Sequence, residues 1–143
     1  MKTISMTKVD LNKEVALSAV AALGRHDVDA VFKECTPDFL DYGTGSSKPA
    51  PVEAGKQFFK EFVTAFPDYE VSNMKCVADD EWAMVWCECS GTWKNEFMKQ
   101  QPTGKGFKFP DVDIFRFDED GKIIEHHNIV DFSYIFKEVG IKM

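Results

Sequence analysis

The carboxyl-terminal half of this 143-residue chain contains four consecutive segments with the residue pattern of β-strands. They span residues 69–78, 81–93, 107–117 and 122–130, and turn residues such as Asp and Gly separate them. Helical patterns occupy the first half of the chain. Helices followed by a run of strands indicate an α+β fold, in which the helices pack on one face of an antiparallel sheet. A chain of this length forms a single domain, residues 1–143.

Two helices are predicted before residue 37. The first begins at Leu11, where apolar residues recur at three- and four-residue spacings, and it stops at Gly24. Asp10 is a plausible N-cap for this helix. Asp27 can cap a second, shorter helix, which should end before Pro37 because the residue ahead of a proline disfavours helical geometry.

A third helix follows Pro51 and stops at Pro67, after a short strand over 39–42 and a turn-rich segment, 43–51, that is predicted to be a mobile loop. Its apolar stripe consists of Val52, Phe59, Phe62, Val63 and Phe66. Such a stripe usually packs in the core. It can also form the wall of a ligand cavity, in which Phe59 and Phe62 would contact a substrate.

The strand over 81–93 is apolar on both faces. Trp82, Met84 and Trp86 project to one side, whereas Ala83 and Val85 project to the other together with Cys87 and Cys89. Helices on one face of the sheet would leave the other apolar face in water. We therefore predict that a second subunit covers that face, which makes the protein a homodimer through the sheet.

The last two strands form a predicted hairpin with a two-residue type I′ turn at Asp120-Gly121. If Glu119 faces Lys122, the two residue numbers of every cross-strand pair add up to the same total. This register pairs Arg116 with Glu125, Phe115 with His126, and Asp113 with Asn128. Opposite charges at two of the cross-strand positions support it. One face of the hairpin then carries Asp113, Phe115, Phe117, Ile124, His126, Asn128 and Val130.

This face holds the group of side chains in the sequence that is best suited to acid-base chemistry. Burial beside Phe115 would raise the pKa of Asp113 toward the range that suits a general base. Asn128 could orient Asp113 or donate to a developing oxyanion, and His126 lies on the same face. We therefore predict Asp113, Asn128 and His126 as catalytic residues, with Phe115 contacting the substrate. The alternative is that Asp113 is a hydrogen-bonded structural carboxylate.

Metal binding is not expected. His126 and His127 are adjacent on a strand and point to opposite faces, so they cannot hold one ion from one side. Asp111 and Asp113 share a face and could form only a weak divalent site with His126. Cys87 and Cys89 also share a face, and we interpret them as small buried hydrophobic residues. No nucleotide-binding or metalloprotease motif is present, so no cofactor is expected.

The charge balance excludes two classes of partner. With 17 basic and 24 acidic residues the formal charge is −7, which disfavours binding to nucleic acid or to anionic membrane surfaces. No apolar run approaches the roughly 20 residues that a membrane-spanning helix needs. The polar amino terminus lacks a secretory apolar region, and the cysteine spacing does not suggest an oxidising compartment, so we expect a cytoplasmic protein.

From residue 66 onward, the order of several short motifs resembles the SnoaL-like polyketide cyclase family of the nuclear-transport-factor-2-like superfamily. No single motif is decisive, but together they cover most of the chain. The motifs are Phe66-Pro67-Asp68-Tyr69, Ser90-Gly91-Thr92, Glu96-Phe97-Met98, Pro102-Thr103-Gly104-Lys105, Asp113-Ile114-Phe115-Arg116-Phe117 and Gly121-Lys122-Ile123-Ile124-Glu125-His126.

The resemblance implies a cone-shaped α+β fold whose curved antiparallel sheet carries the amino-terminal helices on its concave face and encloses an apolar pocket, commonly in a dimer. Cyclases of this family close a ring by an intramolecular aldol step without metal or cofactor, using a His and an Asp on the last two strands. In this chain those positions are Asp113 and Asn128. A catalytic version of the site therefore requires Asp113 as the base.

Two functions follow as hypotheses. The first is a cofactor-independent enzyme that abstracts a proton next to the carbonyl of a small, largely apolar compound held in an enclosed pocket, as a cyclase or isomerase does. The second is a non-catalytic ligand-binding or dimerising protein on the same fold. Two sister activities fit less well: no Tyr lies between Leu11 and His26 for a steroid isomerase, and Asp111-Val112-Asp113 does not provide the Asp-Arg-Asp set of an epoxide hydrolase.

Overall fold

A computed structural model describes residues 5–45 and 48–143 of the chain. The helices in these ranges are α1 (Lys8–Gly24), α2 (Val28–Val31), α3 (Val52–Ala65) and α4 (Phe132–Val139). The strands are β1 (Cys35–Gly43), β2 (Glu70–Ala78), β3 (Trp82–Thr92), β4 (Gly106–Phe117) and β5 (Ile123–Ile129). The predicted α+β class is confirmed.

The five strands form one mixed sheet in the order β1-β5-β4-β3-β2. β2 to β5 are antiparallel neighbours, as the sequence predicts. β1 comes from the helical half of the chain and joins the edge of the sheet in parallel with β5. The predicted strand over 39–42 is therefore longer and adds a parallel edge to the antiparallel sheet. α1 packs mainly against β2 and β3, and α3 packs against β1.

The start of α1 differs from the prediction. Its N-cap is Thr7 rather than Asp10. The Thr7 hydroxyl accepts a hydrogen bond from the Asp10 backbone N–H at 3.1 Å, and the Asp10 carboxylate accepts one from the Thr7 N–H at 3.2 Å. Asp10 is thus the third residue of a capping box, which satisfies two backbone donors at once. The prediction for Asp27 is confirmed, because its side chain accepts from the Ala30 N–H.

The short helix α4 was not predicted. Asp131 caps its start by accepting from the Tyr134 N–H at 3.0 Å, and Gly140 ends it in the left-handed conformation, with φ of 84°. Both residues are typical helix-end signals. They lie beyond the strand pattern that ends at Val130.

The aromatic stripe of α3 lies largely in the core. Phe59 and Phe66 are buried, and the Phe62 ring packs 4.8 Å from that of Phe66 and 5.1 Å from that of Tyr69. Core packing, the more common role of such a stripe, is therefore present. The described part of the 43–51 segment returns to the sheet, because Ala50 and Asp41 exchange two backbone hydrogen bonds of 2.8 Å. Ser46 and Ser47 lie outside the described residues, and mobility of the loop stays a prediction.

The two faces of β3 differ in burial as the alternation predicts. Ala83, Val85 and Cys87 are fully buried on the inner face, whereas Met84 on the outer face is 42% exposed. Val77 on β2 and Ile129 on β5 are also exposed, at 68% and 60%. The inner face carries the core, and the outer face presents apolar side chains to solvent.

The register of the carboxyl-terminal hairpin is confirmed along most of its length. Asp113 faces Asn128, Phe115 faces His126, and the Arg116 guanidinium lies 2.9 Å from the Glu125 carboxylate. The predicted two-residue turn is wrong, because Asp118 rather than Glu119 pairs with Lys122.

The side chain of Asp118 explains this difference. Its carboxylate accepts hydrogen bonds from the backbone N–H groups of Asp120 and Lys122, both at 2.9 Å. Gly121 takes a left-handed conformation, with φ of 77°, so the loop contains three residues. The extra residue shifts the register at Phe117, which faces Ile123. As a result Ile123 is buried in place of the predicted Ile124.

Candidate acid-base site

His126 lies between two aspartates on the inner face of the sheet. Its Nε2 atom is 2.8 Å from Oδ1 of Asp113, and its Nδ1 atom is 3.0 Å from Oδ1 of Asp41. An ionised carboxylate only accepts hydrogen bonds, so two such contacts require an N–H on both ring nitrogens. The geometry therefore fits an imidazolium that donates to both aspartates.

Three neighbouring strands bring these side chains together. β4 and β5 position Asp113 and His126 through their antiparallel register, and parallel pairing places Asp41 of β1 directly beside His126. A backbone N–H from Gly43 also donates to Oδ1 of Asp41 at 2.8 Å. Gly43 has a φ of 53°, a conformation that glycine adopts without steric cost. The turn at the end of β1 thus holds the Asp41 carboxylate toward the histidine.

The two aspartates stabilise a positive charge on His126. Burial lowers the pKa of His126, but its hydrogen bonds to Asp113 and Asp41 and their negative charges outweigh that effect and raise the pKa to about 10. Burial raises the pKa of Asp41, but the hydrogen bond and charge of His126 outweigh burial, so the pKa of Asp41 lies below its usual value. At neutral pH the centre of the site is an ion pair.

A second acid lies on the same face, two residues before Asp113. Asp111 and Asp113 are only 9% and 3% exposed. Oδ1 of Asp111 and Oδ2 of Asp113 are buried, and among the described residues no group outside this pair of acids hydrogen-bonds to either atom. Burial, the negative charge of Asp113 and a side-chain hydrogen bond with Asp113 raise the pKa of Asp111 to about 8, although the positive charge of His126 acts against them. At neutral pH Asp111 is therefore mostly a protonated acid.

The structure brings some of the predicted site residues together and separates others. Asp113 and His126 are in direct contact, and the Phe115 ring centroid lies 5.1 Å from that of His126. Asn128 faces Asp113 across the strands, but the hydrogen bond of Asp113 goes to His126. Phe59 and Phe62 contact the Tyr69 ring and other core aromatic rings instead of His126. Substrate contact by the three phenylalanines and catalysis by the three polar residues stay predictions.

Sequence reasoning missed Asp41 and did not identify Asp111 as an acid. Asp41 lies 85 residues before His126, and no local pattern signals that β1 pairs with β5. Asp111 did carry a signal, because it shares the inner face of β4 with Asp113. Its neighbours across the sheet, which decide its protonation, were not available from the sequence.

The prediction that the two adjacent histidines point to opposite faces is confirmed. His127 lies on the outer face, where its Nε2 atom is 2.6 Å from the Glu125 carboxylate and its ring stacks on Tyr42 at 4.9 Å. His126 and His127 therefore belong to different environments, and only His126 takes part in the inner cluster.

Three potential metal ligands cluster next to the acids. The Cys87 and Cys89 sulfur atoms and an Asp111 oxygen lie within 4.8 Å of one another. The sulfur atoms are 3.8 Å apart, and the Tyr69 hydroxyl donates to Cys89 at 3.3 Å. The Cys89 contact and burial raise the pKa of the Cys87 thiol, so that thiol is protonated. We interpret the two cysteines as buried thiols of the core and assign no metal to them.

Two open cavities lie beside α4, away from the acid cluster. One has a volume of about 440 Å³ and is bordered by Phe107, Tyr134 and Glu138. The other measures about 760 Å³ and is bordered by Trp86, Pro110 and Val112 on the outer face. Neither is lined by Asp113 or His126. The enclosed apolar pocket beside the acids therefore stays a prediction.

Solvent access to the cluster increases toward β1. The exposed fraction of the side chain rises from 5% for Asp113 to 16% for His126 and 25% for Asp41. A small molecule that reaches the acids would therefore approach past Asp41 and His126, at the edge of the sheet that β1 forms.

The fold and its buried acid-base cluster place this chain in the class of small α+β proteins. Comparison with known families identifies the family. The sequence profile of the SnoaL-like polyketide cyclase family matches residues 13–139. The chain belongs to this family. Among curated proteins no sequence matches the chain significantly.

Solved structures support the fold. AclR, a proposed hydroxylase of Streptomyces galilaeus, is 24% identical, with a TM-score of 0.81 over 94% of this chain and 99% of AclR. IdmH, a proposed polyketide cyclase of Streptomyces antibioticus, is 21% identical, with a TM-score of 0.74 over 90% and 98%. A proposed SnoaL-like polyketide cyclase of a Jannaschia species is 18% identical, with a TM-score of 0.84 over 99% and 100%. At these identities the similarity establishes a shared fold.

None of the helices within residues 5–45 and 48–143 combines the length and the apolar character that crossing a bilayer requires.

Proposed function

We propose that this protein is a cofactor-independent enzyme that removes a proton next to the carbonyl of a small, largely apolar compound, with Asp113 as the general base. One observation carries the proposal. Oδ1 of Asp113 is anchored by His126, whereas its buried Oδ2 has no partner among the described residues other than the neighbouring Asp111 carboxyl, and it retains a lone pair to accept a proton. A base that is anchored through one oxygen and can accept a proton on the other has the arrangement that proton abstraction requires.

His126 acts as a positioning residue and not as the base. Both ring nitrogens already donate to carboxylates, and a pKa of about 10 leaves no free lone pair at neutral pH. Its positive charge stabilises the Asp113 carboxylate in the buried site. Asn128 faces Asp113 and would orient the substrate oxygen, and Phe115, Phe59 and Phe62 would provide apolar contacts.

The reaction transfers a proton from the carbon next to the carbonyl to Oδ2 of Asp113. The electrons of the broken C–H bond form the double bond of an enolate and place negative charge on the carbonyl oxygen. Return of the proton at another carbon is isomerisation, and attack of the enolate on a second carbonyl is cyclisation. The polyketide cyclase family and the proposed cyclase activity of IdmH support this reaction class. The free cysteines agree with the cytoplasmic location that we also propose.

Replacement of Asp113 by asparagine tests this function. Wild-type protein is expected to accelerate exchange of the α-hydrogens of 1-tetralone, a small apolar ketone, with deuterium from D₂O, as followed by proton NMR. Asp113→Asn should reduce the catalysed rate by about 10²–10⁴ because an amide cannot accept the proton. Asp38→Asn makes the same change at an exposed position of β1 and should leave the rate unchanged. Wild-type turnover by Asp113→Asn would exclude the assigned base.

A non-catalytic ligand-binding protein is the second candidate. It is favoured by the near-complete burial of Asp113 and by the position of both cavities away from the cluster. The two functions differ in one measurement. A binding protein would bind 1-tetralone in a calorimetric titration without exchanging its α-hydrogens, whereas the enzyme would do both.

We also propose that the exposed outer face of the sheet forms a homodimer. Met84, Val77 and Ile129 contribute to an apolar surface on three strands. Met84→Glu would place a charge at the centre of this surface and should weaken the dimer about 100-fold or more, as measured by sedimentation velocity. Ala54→Glu adds the same charge at an exposed position of α3 and should leave assembly unchanged. A monomeric wild-type protein at micromolar concentration would disprove the dimer.

A further inference from the structure

We propose, building on the function proposed above, that Asp111 is a second catalytic residue, a protonated acid that donates a proton to the substrate carbonyl oxygen while Asp113 removes the α-hydrogen. The site would then combine a base and an acid on one strand, and it would accept neutral ketones.

The geometry of β4 supports this pairing. Residues 111 and 113 alternate onto the same inner face, where same-face neighbours are separated by roughly 7 Å. They face Cys87 and Val85 of β3 across the antiparallel register. In the described part of the chain, the buried Oδ1 atom of Asp111 and the buried Oδ2 atom of Asp113 have no hydrogen-bond partner outside this pair of acids, and the two side chains hydrogen-bond to each other. A carbonyl oxygen and its α-hydrogen lie close enough in a small ketone to reach two such neighbouring groups.

Of the described charged groups around Asp111, only His126 favours its ionised form. The negative charge of Asp113 on β4 opposes ionisation, and His126 on β5 favours it. Burial raises the pKa of the Tyr69 hydroxyl, and the Cys89 hydrogen bond and burial raise that of the Cys87 thiol, so both groups stay neutral. With Asp41 and Asp113 ionised and His126 positive, a further carboxylate would increase the negative charge of a site that is already net negative.

The two neighbouring acids have different hydrogen-bond partners. Asp113 contacts the positively charged His126 ring at 2.8 Å, whereas the side-chain hydrogen bond of Asp111 goes to Asp113. Pairs of acids whose surroundings separate their pKa values can supply one acid and one base in the same reaction. The contact with His126 thus assigns the base role to Asp113 and leaves the acid role to Asp111.

The proposed step balances without a co-reactant. The α C–H bond breaks, its proton goes to Oδ2 of Asp113, and its electrons form the carbon–carbon double bond. The carbonyl π electrons move to the oxygen, which takes the proton of Asp111, so the product is a neutral enol. Asp111 is then ionised and Asp113 is protonated. Reversal of the two transfers restores the site. Because the site is net negative, an anionic substrate such as a carboxylate would be repelled.

A substrate-free measurement tests the protonation of Asp111. Carbon-13 NMR of labelled aspartate carboxyl groups, recorded between about pH 4 and pH 10, should reveal a carboxyl with a midpoint near 8 in wild-type protein. Asp111→Asn should remove this signal, and Asp38→Asn should retain it. If no wild-type aspartate titrates above about pH 6, Asp111 is not protonated at neutral pH and the inference fails. This result does not depend on the folding of any variant.

Kinetics of 1-tetralone exchange test the catalytic role. Asp111→Ala should lower the rate by about 10²–10³, the usual cost of losing a donor to a developing oxyanion, whereas Asp111→Asn retains an N–H donor and should lose about tenfold or less. The wild-type rate should also fall above about pH 8 as Asp111 ionises, and Asp111→Asn should lack this decline. Equal rates for Asp111→Ala and wild type would overturn the inference.

The two proposals fail in different ways. If Asp113→Asn abolishes exchange but both Asp111 variants match wild type, the proposed function stands and the role of Asp111 is wrong. If wild-type protein does not exchange 1-tetralone, the proposed function fails for this class of ketone. The NMR titration then still decides whether Asp111 holds a proton.

Discussion

Replacement of His126 by leucine is expected to lower the free energy of unfolding by about 3–5 kcal/mol, because it removes the cation between two aspartates of low exposure. Asp113 and Asp41 would lose the hydrogen bonds at 2.8 and 3.0 Å that compensate their burial. Removal of one partner from a buried ion pair costs more than the pair contributes, since the remaining charge is left without compensation. Urea unfolding at neutral pH, followed by circular dichroism, measures the loss.

His127→Leu is the matched control for this prediction. It makes the same change at the next residue of β5, on the outer face, where the histidine contacts Glu125 at 2.6 Å. Glu125 keeps its contact with Arg116 at 2.9 Å, so the loss of one partially exposed pair should cost less than about 1 kcal/mol. Equal destabilisation by the two substitutions would show that the inner ion pair contributes no more to stability than the outer one.

The stability of wild-type protein is expected to decrease as the pH rises from 6.5 toward 10. Folded His126 has a raised pKa of about 10, whereas an unfolded histidine loses its proton near 6.5. The stability that this group contributes is therefore complete below pH 6.5 and is lost as the pH rises to about 10. Asp111 acts in the same direction between 3.8 and about 8, because its folded pKa is also raised. Each proton contributes about 1.4 kcal/mol per pH unit.

Urea unfolding at pH 6 and pH 9 tests this pH dependence. The native state should be several kcal/mol more stable at pH 6. Asp41 has the opposite effect at low pH, because its lowered pKa contributes stability that is lost as the pH falls below about 3.8. Stability should thus be greatest in the mildly acidic range. His126→Gln should flatten the dependence between about pH 8 and pH 10, where the titration of Asp111 is complete, and an equally flat dependence in wild type over this range would contradict the charged state of His126.

The carboxyl-terminal hairpin shows what local chemistry can predict. The turn signal at Asp120-Gly121 and the opposite charges of Arg116 and Glu125 predicted the register that places Phe115 opposite His126, and this register is present. The length of the turn was not predicted correctly from these local signals. Hydrogen bonds from two backbone N–H groups to Asp118 favour a three-residue loop, and Lys122 contacts Glu34, which lies 2.6 Å away and far along the chain. A competing side-chain hydrogen bond decided the outcome.

The helices show the same division. The stop of α3 before Pro67 and the cap at Asp27 follow from single residues with strong backbone preferences, and both are present. At α1 two acceptors compete for the cap, and Thr7 provides it because Asp10 can then return a hydrogen bond from the third position. The ends of α4 carry comparable signals, Asp131 and Gly140, so local sequence information is sufficient to predict this helix.

The sequence alone determined the α+β class, the inner and outer faces of the central strands and the placement of Asp113 and His126 on one face, because the side-chain period of a strand is a local property. Only the tertiary structure decided that β1 pairs in parallel with β5 and brings Asp41 to the other side of His126. The same folding buries Asp111 beside Asp113. Charges and protonation states in the cluster depend on burial and on neighbours that are distant in sequence, and these arise only when the sheet is complete.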